Sequence, residues 1–203
     1  MRSYIERAKD FIQQIFPYLD GEWTNPYDVD CGVGCFNKDY NRKVIMRHGI
    51  ARIALITSDY VVKFDFDEEE CNVVGGCQAE VKLYAEAQRD GFDYLFAQIT
   101  HYSYNNHDFY IMPRIRGINE DSWNHADYYM TDEENAWCDE HHLSDLHCNN
   151  YGFRKGKVCI IDYACSLEET DGDSETSTSS FSRPSTSFWE EAEKMINEEV
   201  SES

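Results

Sequence analysis

The sequence lacks a long apolar run and a signal peptide. No stretch of the 203 residues approaches the roughly 20 apolar residues that a membrane-spanning helix needs. Residues 1–20 mix charged side chains with Phe11-Ile12 and Ile15-Phe16, a pattern that does not fit a secretory leader. We therefore expect a cytoplasmic protein with no membrane contact.

Basic residues are also scarce. The chain has 18 Lys and Arg against 39 Asp and Glu, so its formal charge is −21. A surface of this sign repels nucleic-acid backbones and attracts basic partners. This disfavours direct DNA or RNA binding and predicts a protein target with a basic surface. Two interpretations of the charge stay open: a merely soluble surface, or an acidic mimic that occupies the binding site of a DNA- or RNA-binding protein.

Paired cysteine motifs are missing as well. The eight cysteines form no CxxC pair and no small disulfide framework, so reduced thiols are expected. Zinc binding remains a minor alternative, because the spacing of the Cys and His residues fits no common closed zinc site well. The zinc candidates are Cys31, Cys35, Cys138, His141, His142, His147 and Cys148.

The chain does contain enough apolar and aromatic surface for a folded domain, with 41% hydrophobic residues, 14 Tyr and 11 Phe. Apolar residues at helical spacing predict an amphipathic helix over residues 3–19 that ends at Pro17. The Asn, Asp and Gly content of residues 21–40 indicates a loop. The two segments form a predicted N-terminal region, residues 1–43.

Four segments predict a five-stranded antiparallel sheet with one main helix. Apolar and β-branched residues indicate the strands, and an apolar stripe at helical spacing indicates the helix. The segments are residues 44–66 with two or three strands, residues 76–89 with the helix, and residues 94–104 and 108–115 with two further strands.

The motifs that can carry chemistry lie mostly between residues 144 and 164. Asn150 follows five residues after Asp145, and Asp162 ends an apolar strand. This layout suits phosphoryl transfer, in which one carboxylate accepts the proton of the attacking hydroxyl. An amide and a second carboxylate then hold the metal ions that bridge the phosphates. A strand-turn-strand hairpin can bring these three side chains to one metal-bound nucleotide.

Two further charged residues lie upstream in the expected order. Lys63 is surrounded by apolar and β-branched neighbours in a strand, so it would be partly buried and would need a counter-charge or a phosphate. Glu80 lies near the start of the predicted helix and is a candidate for that counter-charge. The pair matches the strand lysine and helix glutamate of kinases.

With these motifs, residues 44–164 resemble a much reduced member of the protein kinase-like superfamily, similar to small kinase-like proteins encoded by bacteriophages. The resemblance implies an α+β fold. Its small lobe, residues 44–116, has a five-strand antiparallel sheet and one main helix. Its C-terminal lobe, residues 117–165, is truncated and mostly helical, with a helix over residues 131–142 that leads to the catalytic loop.

The resemblance also implies roles for the residues that carry it. Lys63 contacts the α- and β-phosphates of ATP, and Glu80 fixes Lys63. Asp145 is the catalytic base, and Asn150 and Asp162 bind Mg²⁺.

A second group of residues is implied in nucleotide binding. Gly49 and Arg52 stand in the place of the glycine-rich loop that covers the phosphates. Backbone groups from Met112 to Arg114 stand in the place of the hinge that meets the adenine.

The sequence departs from the kinase pattern at several points. Leu143-Ser144 replaces the His-Arg that precedes the catalytic base, and Tyr163-Ala164 replaces Phe-Gly. The phosphate-covering loop keeps one glycine. Only 39 residues follow Ala164, without a recognisable Ala-Pro-Glu segment.

The expected function is a minimal, ATP- and Mg²⁺-dependent serine/threonine protein kinase that acts on a host or partner protein, in the host cytoplasm if the chain is phage-encoded. The alternative is a pseudokinase that acts as an acidic inhibitor. The composition of residues 166–187 indicates an acidic Ser/Thr-rich linker, and apolar residues at helical intervals predict a last helix over residues 188–203.

Overall fold

Four α-helices and eight strands are formed by the part of the chain that the structure describes. The structure is a computed structural model, and it describes residues 2–19, 25–66, 76–117, 130–143, 146, 150–154 and 157–163. The helices are α1 (Tyr4–Ile15), α2 (Pro26–Tyr40), α3 (Cys77–Asp90) and α4 (Asp132–Glu140), with 3₁₀ turns at Phe16–Tyr18 and Asp93–Leu95. The strands are β1 (Ile45–His48), β2 (Arg52–Ile56), β3 (Tyr60–Asp65), β4 (Thr100–Tyr104), β5 (His107–Pro113), β6 (Arg116–Gly117), β7 (Tyr151–Arg154) and β8 (Lys157–Ile160).

Strands β1 to β5 form one antiparallel sheet in the order β1-β2-β3-β5-β4. The prediction of a five-strand antiparallel sheet with one main helix in an α+β arrangement is therefore confirmed, and the helix, α3, lies between β3 and β4 along the chain. β3 lies in the middle of the sheet, and its Lys63 pairs with Ala54 of β2 and Tyr110 of β5. A second, three-stranded sheet has the order β6-β7-β8.

The two faces of the five-stranded sheet pack against different elements, because side chains alternate along each strand. One face forms an apolar core with α1 and α2, and this core contains Phe11, Phe36, Ile53, Leu55, Val62, Phe64, Phe109 and Ile111. The opposite face carries Lys63, Tyr110 and Met112. The last two pack in a second core with α3 and β8.

The prediction of a loop over residues 21–40 is wrong for residues 26–40, which form α2. The Asn25 side chain accepts a hydrogen bond from the Tyr27 amide, and Pro26 occupies the first turn, where its missing N–H has no cost. Val29, Val33 and Phe36 form a buried stripe on one side of the helix. Burial of this stripe outweighs the low helix propensity of the Gly and Asp residues.

The helices predicted over residues 3–19, 76–89 and 131–142 are found close to their expected positions. α1 ends at Ile15, and the 3₁₀ turn that follows contains Pro17. Thr131 caps α4 in a capping box, in which Thr131 Oγ1 accepts from the Glu134 amide and the Glu134 carboxylate accepts from the Thr131 amide.

Beyond residue 117, the described part holds α4 and the strands β7 and β8. The predicted linker over residues 166–187 and the predicted helix over residues 188–203 lie outside the described residues. The mostly helical character of the C-terminal lobe and the proposed domain boundaries stay predictions. Among the described helices, none has the length and apolarity to cross a membrane.

We predict that Gly32→Ala destabilises the protein and that Gly34→Ala does not, although both lie in α2. A Cβ on Gly32 would clash with the backbone oxygen of Tyr18, whereas nothing lies within 4 Å of a Cβ on Gly34. The expected loss for Gly32→Ala is about 1–3 kcal/mol. Gly34→Ala should be neutral or stabilising by up to about 1 kcal/mol. Urea unfolding midpoints measure both, and equal effects would contradict the close approach of α2 to Tyr18.

Candidate active site

Lys63 lies in the middle of β3 with its ammonium group almost fully enclosed. Its Nζ donates to Glu80 Oε1 at 2.9 Å, to the carbonyl oxygen of Ile161 at 3.1 Å and to Asp162 Oδ1 at 3.3 Å. A lysine has three donor hydrogens, so each has a partner. The structure thus brings β3, α3 and the end of β8 together at one side chain.

Glu80 reaches Lys63 because the start of α3 is attached to β3. Both carboxylate oxygens of Asp65 lie within hydrogen-bond distance of the Cys77 amide, at 3.0 and 3.1 Å. This carboxylate substitutes for a capping side chain, since the N-cap residue is Gly76, and it complements the helix dipole. Glu80 follows in the first turn of α3, where its side chain is fully buried.

Arg52 adds a second cation to the same cluster. Its Nη1 donates to Asp162 Oδ1 at 2.8 Å and to Glu80 Oε1 at 3.3 Å. Two cations and two carboxylates therefore compensate each other in this cluster, which we call the charge quartet: Arg52, Lys63, Glu80 and Asp162. The resemblance implied that Arg52 would lie near the phosphates, but no feature of the sequence indicated that it would contact the carboxylates of Glu80 and Asp162.

Tyr163 holds the end of β8 against α3. Its backbone amide donates to Glu80 Oε1 at 3.1 Å, and its hydroxyl donates to the carbonyl oxygen of Ala97 at 2.8 Å. Sequence reasoning treated this tyrosine only as a departure from the kinase Phe. The available signal was that a buried tyrosine needs a partner for its hydroxyl, which a phenylalanine does not.

The quartet perturbs the pKa of its members in opposite directions. Burial raises the pKa of Glu80, and the nearby Lys63 only partly offsets this rise. Burial also acts to raise the pKa of Asp162, but Lys63 and Arg52 outweigh it and hold that pKa well below the ordinary range. For Lys63, burial is outweighed by the Asp162 and Glu80 carboxylates, which raise its pKa. Asp162 is therefore ionised, as a metal ligand must be.

Asn150 is brought to the neighbourhood of Asp162. Its backbone oxygen accepts the Ile161 amide at 2.8 Å, so the β7–β8 hairpin places Asn150 opposite the residue that precedes Asp162. Asp145 lies outside the described residues, and its predicted role stays a prediction. Leu143 and Leu146, which flank it, belong to the same apolar core as Tyr163.

The residues predicted to bind the nucleotide lie at two places. Gly49 closes the β1–β2 turn by donating its amide to the carbonyl oxygen of Arg52 at 2.8 Å. Met112 is buried and pairs with Val61 of β3. Arg114 lies opposite Asp59, roughly 13 Å along the strand from Lys63. Its amide donates to the carbonyl oxygen of Asp59 at 3.1 Å, so this donor already has a partner.

The cysteines that the structure describes belong to no cluster that could hold a metal ion. Among the described residues, no group of three or more His, Cys, Asp or Glu side chains could hold a metal ion. Burial raises the pKa of the Cys77 thiol and raises that of Cys159 to about 11, so both are protonated thiols. Asp162 and Asn150 supply a carboxylate and an amide oxygen, the donor types that Mg²⁺ accepts, and the Asp162 side chain is 38% exposed.

Comparisons with known proteins give a distant likeness. No protein-family model and no curated protein matches this sequence. Among solved structures, the chain is similar to the Lpg2603 kinase of Legionella pneumophila bound to IP6, with a TM-score of 0.43 and 13% identity over 67% of this chain. The match covers 52% of that kinase chain. At this TM-score and identity, the likeness by itself assigns neither an activity nor a ligand.

We predict that Lys63→Met lowers the free energy of unfolding by about 3 kcal/mol at neutral pH, because it removes one partner of a buried ion pair. The folded pKa of Glu80 already lies above its unfolded value, and losing Lys63 raises it further. The folded state then takes up a proton before the unfolded state does, so the deficit relative to wild type should narrow as the pH falls from about 7 to about 5.

Urea unfolding at both pH values measures this effect. Lys82→Met is the matched control, because Lys82 lies exposed on the same helix as Glu80. A deficit for Lys63→Met that is independent of pH, or equal to that of Lys82→Met, would contradict the role of Lys63 in compensating Glu80.

Proposed function

We propose that this protein is an ATP- and Mg²⁺-dependent phosphotransferase, and in particular a minimal serine/threonine protein kinase that acts on a host or partner protein. The observation that carries the proposal is the contact of Lys63 Nζ with both Glu80 and Asp162, at 2.9 and 3.3 Å. The resemblance noted in the sequence requires these three residues, distant along the chain, to meet at one point.

The chemistry of the quartet supports phosphate binding. Lys63 is a buried cation whose position is fixed by Glu80 and by the carbonyl oxygen of Ile161. When Asp162 turns to a metal ion, the third hydrogen of this ammonium group can be donated to an oxyanion, and a charge fixed in this way stabilises that oxyanion. Arg52 offers a guanidinium at the edge of the same cluster, and its side chain is 22% exposed.

Mg²⁺ would be held by Asp162 and Asn150, and when bound it would offset the charge of the transferring phosphoryl group. In this proposal Asp145 accepts the proton of the attacking Ser or Thr hydroxyl. The pKa of Asp162, held low by Lys63 and Arg52, keeps its carboxylate charged at neutral pH.

The adenine would lie toward Met112, on the face of the sheet that carries Lys63. Val61 pairs with Met112, and Lys63 pairs with Tyr110, so these four residues share one face. Next to them, Ile45 and Ile56 form a small apolar cluster with Val61. Apolar side chains beside a polar phosphate region are typical of nucleotide sites.

The net charge of −21 favours a target with a basic surface. The same charge favours a second candidate function, an acidic inhibitor that blocks a basic host protein without turnover. A phage effector that phosphorylates a host protein is the form of the first proposal that fits the resemblance. The two candidates differ in whether the biological effect needs the metal-binding carboxylate.

We predict that Asp145→Asn and Asp162→Asn each lower phosphate incorporation from Mg²⁺-ATP by at least about a hundredfold, because they remove the proposed base and a proposed metal ligand. Mass spectrometry of a basic protein substrate, or of the chain itself, measures the transfer. Asp108→Asn is the control: Asp108 is an exposed residue of β5 that contacts His101 and Ser103, and this variant should keep full activity.

If both site variants bind the target in a salt-sensitive manner and keep the full biological effect, the kinase proposal is wrong and the inhibitor is favoured.

A further inference from the structure

Arg52 forms the shortest contact in the charge quartet. Its Nη1 lies 2.8 Å from Asp162 Oδ1, closer than Lys63 Nζ at 3.3 Å. Both of these cations contact the Asp162 side chain at Oδ1. The carboxylate proposed to bind Mg²⁺ is therefore held by two cations of the protein itself.

A metal ion on Asp162 would compete with Arg52. Mg²⁺ binds carboxylate oxygens at about 2.1 Å, so an ion on Oδ1 would lie within a few ångströms of the guanidinium. Like charges at that distance repel strongly in a partly buried site. Lys63 can keep Glu80 and the Ile161 carbonyl oxygen as partners if Asp162 turns to a metal. Arg52 would keep only the longer contact of 3.3 Å with Glu80 Oε1.

Arg52 is well placed to exchange partners. It is the first residue of β2, directly after the β1–β2 turn that Gly49 closes. This turn stands where the proposed function puts the phosphates. A guanidinium presents a planar fork of donors that matches phosphate as well as carboxylate. The side chain is not enclosed, since 22% of it is exposed.

We propose that Arg52 is a positioning residue that holds Asp162 in the nucleotide-free protein and moves to the phosphates when the metal-nucleotide binds. This inference rests on the proposed function. Arg52 then opposes binding of a free metal ion, because it occupies the carboxylate, and favours binding of metal-free ATP, because it adds a cation. The contact of Arg52 with Asp162 therefore prevents a metal ion from binding before the nucleotide, so that the site takes up the metal only together with the nucleotide.

The test uses Arg52→Gln and measures two affinities by titration calorimetry. Relative to wild type, we expect Mn²⁺ without nucleotide to bind about tenfold tighter, and ATP in EDTA to bind about tenfold more weakly. Arg89→Gln is the control, because Arg89 is exposed on α3 and pairs with Asp90. It should change neither affinity. A merely structural role of Arg52 would weaken both together.

The outcomes separate this inference from the proposed function. If the wild type binds no Mg²⁺-ATP, both this inference and the proposed function are wrong. If the wild type binds Mg²⁺-ATP but Arg52→Gln leaves the Mn²⁺ affinity unchanged or lowers it, the exchange is overturned and the proposed function stands. If Arg52→Gln does not fold, as judged by circular dichroism, Arg52→Lys decides. Arg52→Lys keeps the positive charge but loses the planar pair of donors of the guanidinium. A smaller gain in Mn²⁺ affinity together with a smaller loss in ATP affinity supports the proposed change of partners, whereas a loss in both affinities overturns it.

Discussion

The described structure depends on how one buried carboxylate is neutralised. Glu80 Oε1 receives hydrogen bonds from Lys63, from Arg52 and from the amide of Tyr163. A carboxylate without such partners could not be buried in this position in its charged form. Because the three donors come from β3, β2 and the segment after β8, one side chain ties the five-stranded sheet to the smaller sheet and to α3. Stability and the candidate site therefore share the same contacts.

Because stability and the candidate site use the same contacts, the two faces of the five-stranded sheet are packed differently. One face of the five-stranded sheet is covered by α1 and α2, and the three together form an apolar core. The other face packs against α3 and the β8 region, and it carries Lys63 of the charge quartet. A sheet that packs against α1 and α2 on one face can keep a polar site on its other face, because the first face supplies the apolar burial that the fold needs.

Sequence reasoning reached much of the fold because the signals were local. Apolar and β-branched residues predicted the strands β1 to β5, and apolar residues at helical spacing predicted α1 and α3. α2 was missed because its Gly, Asp and Asn residues indicate a loop. Its buried stripe gains its free energy only by packing against other elements, as Phe36 does against Phe11 of α1. The contact of Lys63 with Glu80 and Asp162 was also expected from the sequence, because the resemblance places these residue types in a fixed order and requires them to meet.

The sequence by itself determined which residue types were available, in what order, and that Lys63 in an apolar strand would need a counter-charge. Only the tertiary structure decided that Arg52 shares both carboxylates with Lys63, that Asp65 caps α3, and that Tyr163 anchors the end of β8 through Ala97. The physical reason is distance: contacts such as that of Arg52 with Asp162 join residues 110 positions apart. No local pattern records which distant partner a charge will meet.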